Sequence, residues 1–150
     1  MSAQATFTGV NQKFENLDAL KNALTTMGFT YEYHKNETGV VTGYCGRSIR
    51  TNAALTVDKN QFNGIGNFGF TKVDGAYVLT VGDNDDAYRI RATISKKLDN
   101  NAFNNIEVIS AIGQFYQAEV LKEEFTVQGF LAEVSTTKDG KVKLELESMF

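Results

Sequence analysis

Residues 19–39, ALKNALTTMGFTYEYHKNETG, and residues 119–140, EVLKEEFTVQGFLAEVSTTKDG, carry one design twice: an apolar helical stripe, a Gly-Phe junction, an alternating segment and a glycine turn. In the first copy Leu17, Leu20, Ala23, Leu24 and Met27 recur at three- and four-residue spacing. Asn16 stands where an N-cap belongs and Asp18 lies in the first turn, where the helix dipole favours a carboxylate. Gly28 then ends the helix as a left-handed cap. Leading into the second copy, Ile106, Ile109, Ile112, Phe115, Tyr116, Val120 and Leu121 keep the helical period, which predicts a long helix over 104–127 closed at Gly129. Two main helices packed on one face of an antiparallel sheet, each returning to it through a glycine, make an α+β fold. The halves read as pseudo-symmetric, in the manner of ferredoxin-like or split-βαβ layouts. Two unrelated segments converging on one good helix-to-strand junction would leave the same pattern.

Outward from these repeats, alternation predicts strands at 5–10, 29–33, 40–45, 53–57, 68–73, 77–81, 130–135 and 141–147. Phe7 faces the core in the first, and Phe29, Tyr31 and Tyr33 share a face in the second. Asp74-Gly75 and Asp139-Gly140 are hairpin turns. Residues 85–98 read both ways, because Tyr88, Ile90, Ala92 and Ile94 alternate while the lysines after them suit a helix; a strand is the expectation. The C-terminal strand alternates charge with aliphatics and would have one wet face, with lysines to blunt it if it lay at an edge.

The chain has 150 residues, 42% of them apolar, enough for one domain spanning 1–150 with one core. Its apolar runs are too short to cross a bilayer and its N-terminus lacks the blocks of a signal peptide, so no membrane partner and a cytoplasmic, or plastid stromal, location are expected. The net charge of −3 gives no overall attraction to a polyanion, which argues against nucleic acid. Cys45 is the only cysteine, so this chain alone builds no internal disulfide and no multi-cysteine metal site. Proline is absent and the glycines are scattered, so nothing marks a linker.

Several stretches spell chemistry without its context. Gly64-Ile65-Gly66-Asn67-Phe68-Gly69 matches a dinucleotide fingerprint, but a strand rather than a helix should come after it, which makes it a hairpin loop. Asp83-Asn84-Asp85-Asp86 offers hard oxygen ligands, yet Tyr88 and Ile94 stand where a calcium loop needs glycine and glutamate. It reads instead as a solvated turn in which Asp85 or Asp86 caps the next element, so no metal is expected. His34 is the sole histidine and reads as an exposed edge residue, and Cys45 as a small core residue. No cofactor and no catalytic constellation emerge.

The arginines are the most informative group. All four fall between 47 and 91: Arg47 and Arg50 after the Gly-Tyr-Cys-Gly turn, Arg89 and Arg91 at alternate positions of the segment read as a strand. Guanidinium forks bind carboxylate or phosphate through two parallel bonds, so Tyr44, Arg47, Arg50, Arg89 and Arg91 form a candidate anion or nucleotide site if the two segments meet. Salt-bridging to neighbouring acidic residues is the plainer use of such arginines on a sheet.

The order TFTGVNQKFENLDALKNALTTMGF, VVTGYCG, a DG hairpin, QFYQAEVLKEEFTVQGF and DGKVKLELE resembles the hypothetical chloroplast reading frame thirty-five family of cyanobacteria, plastids and some phages. The resemblance spans nearly the whole chain through Leu17, Leu20, Gly28, Gly43, Tyr44, Gly46, Tyr116, Gly129, Phe130, Asp139 and Gly140. It implies a small domain of no established activity, sometimes thought to act beside AAA+ ATPases, and so an adaptor rather than a catalyst. The Asn-rich stretch 59–67 and the Met-Phe end depart from the family pattern, as a divergent phage member would. The expectation is therefore a non-enzymatic binding or adaptor protein acting through its sheet surface or edge, with a protein partner such as an AAA+ ATPase. The alternative is a sequestering protein for an anionic small molecule such as a nucleotide. Either is compatible with a homo-oligomer.

Overall fold

The computed structural model describes residues 2–10, 12–62, 66–83 and 85–148, and within them the chain is α+β. Nine strands run β1 (Ser2–Phe7), β2 (Tyr31–Tyr33), β3 (Gly39–Thr42), β4 (Ile49–Ala53), β5 (Leu55–Val57), β6 (Phe68–Val73), β7 (Ala76–Val81), β8 (Phe130–Thr136) and β9 (Val142–Ser148). Three helices, α1 (Leu17–Thr26), α2 (Asp86–Leu98) and α3 (Val108–Val127), join them. All strand pairing is antiparallel, but it is divided among three sheets: β1-β9-β8, β2-β5-β6-β7 and the β3-β4 hairpin.

Local signals act where they stand. Asn16 caps α1, its side chain accepting the Ala19 amide at 3.0 Å. Asp74 and Gly75 both take positive φ, 49° and 80°, the backbone a two-residue hairpin needs, and β6 pairs with β7 on either side of them. The terminal hairpin forms from β8 and β9 as expected, with β9 as the centre of its sheet rather than an edge.

The segment expected as a strand over 85–98 is the helix α2. Alternation and helical period overlap in so short a run; what separates them is the four-residue spacing of Asp86, Ile90 and Ile94, all buried, while Tyr88 lies 70% exposed. Lys96 and Lys97 fall in its last turn, where cations complement the helix dipole. The long helix is also shorter than its period suggested: residues 101–105 form a separate turn of 3₁₀ helix before α3 begins.

α3 packs on the β1-β9-β8 sheet and also against α1 and α2. From Tyr116 on α3 the core continues as a line of edge-to-face rings through Phe14 to Phe70 and Phe68 of β6, and on to Phe29 and Phe62. Such pairs add about 0.5–1.5 kcal/mol each beyond the area they bury. One hydrophobic cluster includes residues from all three helices and both larger sheets. No helix among the described residues is long and apolar enough to cross a membrane.

Candidate functional site

The loop between β3 and β4 is where backbone from three separate segments meets. A side chain at Gly66 would overlap the Thr42 carbonyl, one at Gly82 would overlap the Gly43 amide, and one at Gly43 would lie 2.9 Å from Asp86 Oδ2. Only residues without a Cβ allow this approach. Asn67 ties the segments further: its amide donates to the Thr42 carbonyl at 3.1 Å, its Oδ1 accepts the Thr42 amide at 2.9 Å, and its Nδ2 donates to the Val57 carbonyl at 2.8 Å.

Asp86 fastens the loop to α2. It is the first residue of the helix and 1% exposed, and its Oδ1 accepts the Tyr44 amide at 3.2 Å while its Oδ2 accepts the Asp83 amide at 3.0 Å. Burial of a carboxylate is tolerated because amides and the helix N-terminus satisfy it. The capping expected of Asp85 or Asp86 does not form: Asp85 holds the N-cap position of α2 without a side-chain cap hydrogen bond, and Asp86 is a buried clamp on the loop rather than part of a solvated turn; Asn84 of that run lies outside the described residues.

On this base stand Tyr44, Arg47 and Arg89. The Arg89 guanidinium lies 4.0 Å from the centroid of the Tyr44 ring and 3.9 Å from Asp86 Oδ1, and the Arg47 guanidinium lies 5.4 Å from the same ring. Arg47 is exposed and makes no ion pair among the described residues. A guanidinium stacked on a ring keeps its N–H edges free to fork to an oxyanion. Concavities of about 750, 650, 790 and 330 Å³ lie elsewhere: over the far end of the β1-β9-β8 sheet, between α1 and α3, between β1 and α3, and beside His34. At the arginine surface Arg47 is exposed, while Tyr44 and Arg89 are half-buried.

Two of the five expected residues stand apart. Arg50 is exposed on β4, paired across the hairpin with Val41. Arg91 comes after Arg89 on a helix, not a strand, so the two residues point about 200° apart instead of to one face. Its Nε is buried without a hydrogen-bond partner.

Cys45, expected in the core, is exposed with φ 54° at the tip of the same loop, because the turn that closes β3 onto β4 lifts it out of the strand. His34 is half-buried rather than free, its Nε2 2.7 Å from Thr56 Oγ1. In the fingerprint stretch, Gly64 and Ile65 lie outside the described residues, and Gly66 and Asn67 lead into strand β6 rather than into the helix a dinucleotide needs. Among the described residues no group of His, Cys, Asp and Glu is placed to hold a metal ion. Sequence reasoning missed Asp86 as the clamp and the three glycines as its base; the signal was their shared position beside the Tyr44 turn and α2, visible only once the segments meet. Neither a family model, nor a curated protein, nor a solved structure matches this chain.

Proposed function

We propose that this protein is a non-enzymatic adaptor that takes an acidic segment of a protein partner on the surface formed by Tyr44, Arg47 and Arg89. The observation that carries it is the convergence of two guanidiniums on one tyrosine ring, at 4.0 and 5.4 Å, over a backbone locked beneath them. Paired forks recognise carboxylates through parallel bonds, a locked base spares the ordering cost of binding, and the exposed Arg47 is within reach of a chain outside the protein. An AAA+ ATPase, the partner implied by the family resemblance, is one candidate source of such a segment.

The compactness of the pair supports a second reading, in which a single phosphate of a nucleotide or other anionic metabolite bridges Arg47 and Arg89. Titration of the full chain with a fluorescent oligoglutamate peptide, and separately with nucleotides and inorganic phosphate, tests both. Adaptor binding predicts that the peptide binds and that an Arg47→Ala, Arg89→Ala variant, folded by circular dichroism, loses on the order of tenfold in affinity. Stabilisation by nucleotides alone, lost in the same variant, would favour the metabolite. Binding of neither, or binding indifferent to the double variant, rejects this surface as the site.

A further inference from the structure

Among the described residues two carboxylates are buried, and only one is compensated. Asp86 has two amides, the N-terminus of α2 and the Arg89 guanidinium at 3.9 Å. Glu119, in α3 and 6% exposed, has the Thr26 hydroxyl donating to its Oε1 at 2.7 Å and no ion pair among the described residues. Thr26 stands in the last turn of α1, which holds no basic side chain and where the helix dipole disfavours a second negative charge. Lys97, which reaches the Gly28 carbonyl, does not line the groove between α1 and α3. Glu119 Oε2 accepts no hydrogen bond among the described residues, yet it is not sealed, since Arg91 Nε is the only described buried side-chain atom both covered and unbonded. Oε2 therefore opens on that groove, a concavity of about 650 Å³ that Glu119 lines.

We infer that the groove between α1 and α3 binds a linear polyamine, one primary ammonium donating to Glu119 Oε2. A dehydrated carboxylate with a single neutral donor is short of positive charge, and an ammonium brings both the charge and three N–H donors. Asp18 of α1 and Glu123, one turn beyond Glu119 on α3, line the same groove and are also without ion pairs among the described residues. These carboxylates do not converge: among the described residues no group of His, Cys, Asp and Glu is placed to hold a metal ion. Charges spread along a groove suit a ligand whose own charges are spread along a chain, so a second ammonium meets Asp18 or Glu123 while the Tyr31 ring offers a face to the chain between. Of the two lysines that line the groove, Lys21 places its ammonium 4.2 Å from the centroid of Tyr33, a ring outside the lining. Lys122 opposes the ligand, so the buried carboxylate carries most of the affinity.

Isothermal titration of the full chain with spermidine tests this, beside a lysine-containing peptide with blocked ends and magnesium chloride at matched ionic strength. Glu119→Gln is the decisive variant, because its amide oxygen can still accept the Thr26 hydroxyl and only the charge is lost. The expected result is that the wild type binds spermidine and Glu119→Gln binds it about tenfold more weakly or worse. Its thermal midpoint without ligand should not fall, since the variant removes an uncompensated buried charge. A midpoint that does fall, or a variant that fails to fold, hands the decision to Lys122→Glu, which leaves Glu119 in place and should tighten spermidine binding about threefold or more. No binding of spermidine by the wild type, or binding that the deciding variant leaves unchanged, overturns the inference. Magnesium binding as tightly as spermidine overturns it in favour of general charge screening, and tighter binding of the peptide overturns it in favour of a lysine side chain of another protein.

Discussion

The two Gly-Phe junctions are alike in backbone and unlike in surroundings. Gly28 and Gly129 share a φ of 92°, and each donates its amide to the carbonyl three residues back, Thr25 and Thr126, at 3.0 and 3.1 Å. After Gly28, Phe29 donates to the Leu24 carbonyl at 2.9 Å, completing a Schellman cap. There the likeness ends. Phe29 is 3% exposed among Phe62 and Phe68, and Lys97 reaches from α2 to place its Nζ 5.2 Å from that ring and 3.0 Å from the Gly28 carbonyl. Phe130 is half-buried and meets Phe125 of the preceding helix, α3, beside an exposed Val127. One local grammar thus serves once as a keystone of the core and once as a surface corner, and the difference is made by residues distant in sequence.

That contrast is open to attack. Phe29→Ala should destabilise the protein by about 3–5 kcal/mol, as deletion of a fully buried ring does, while Phe130→Ala should cost only about 1 kcal/mol; urea midpoints for the two variants decide it, and equal costs would break the comparison. Gly28→Ala and Gly129→Ala should each cost about 1–2 kcal/mol and nearly the same amount, because the shared φ, not the surroundings, sets the strain. A large gap between them would show that the second turn relaxes. Lys97→Met should lower stability by about 0.5–1 kcal/mol by removing the cation at the end of α1, with the loss shrinking at high salt. The smallest effect lies in the second half's own turn. There the Thr137 hydroxyl donates to Asp139 and, more than the nearby Lys141, holds that carboxyl below its ordinary range. Because the folded value is depressed, the contribution is present above the unfolded value and lost as pH falls through the folded one. Thr137→Val should return Asp139 toward the ordinary range in a carboxyl NMR titration.

The arginine surface shows the same division between what is local and what is not. Tyr44 and Arg47 were legible as neighbours of a glycine turn, and Arg89 as a fork available for an oxyanion. Their meeting was not legible, since Tyr44 and Arg89 come together only because Asp86 clamps the loop and three glycines let the chains approach. Arg91 dropped away once alternation gave way to helix, a change in period that redirects every second side chain.

Sequence alone determined the α+β class, the caps at Asn16 and Gly28, the Asp74-Gly75 and terminal hairpins and the two copies of the helix-to-strand junction. Each of these is decided by residues within a turn or two of one another, where side-chain volume, φ preference and capping act directly. Tertiary structure decided the division into three sheets, the helix at Asp86–Leu98, the exposure of Cys45 and the company kept by Phe29 and Tyr44. These depend on which distant surfaces exclude water together, and a stripe of apolar residues specifies that a partner is needed without naming it.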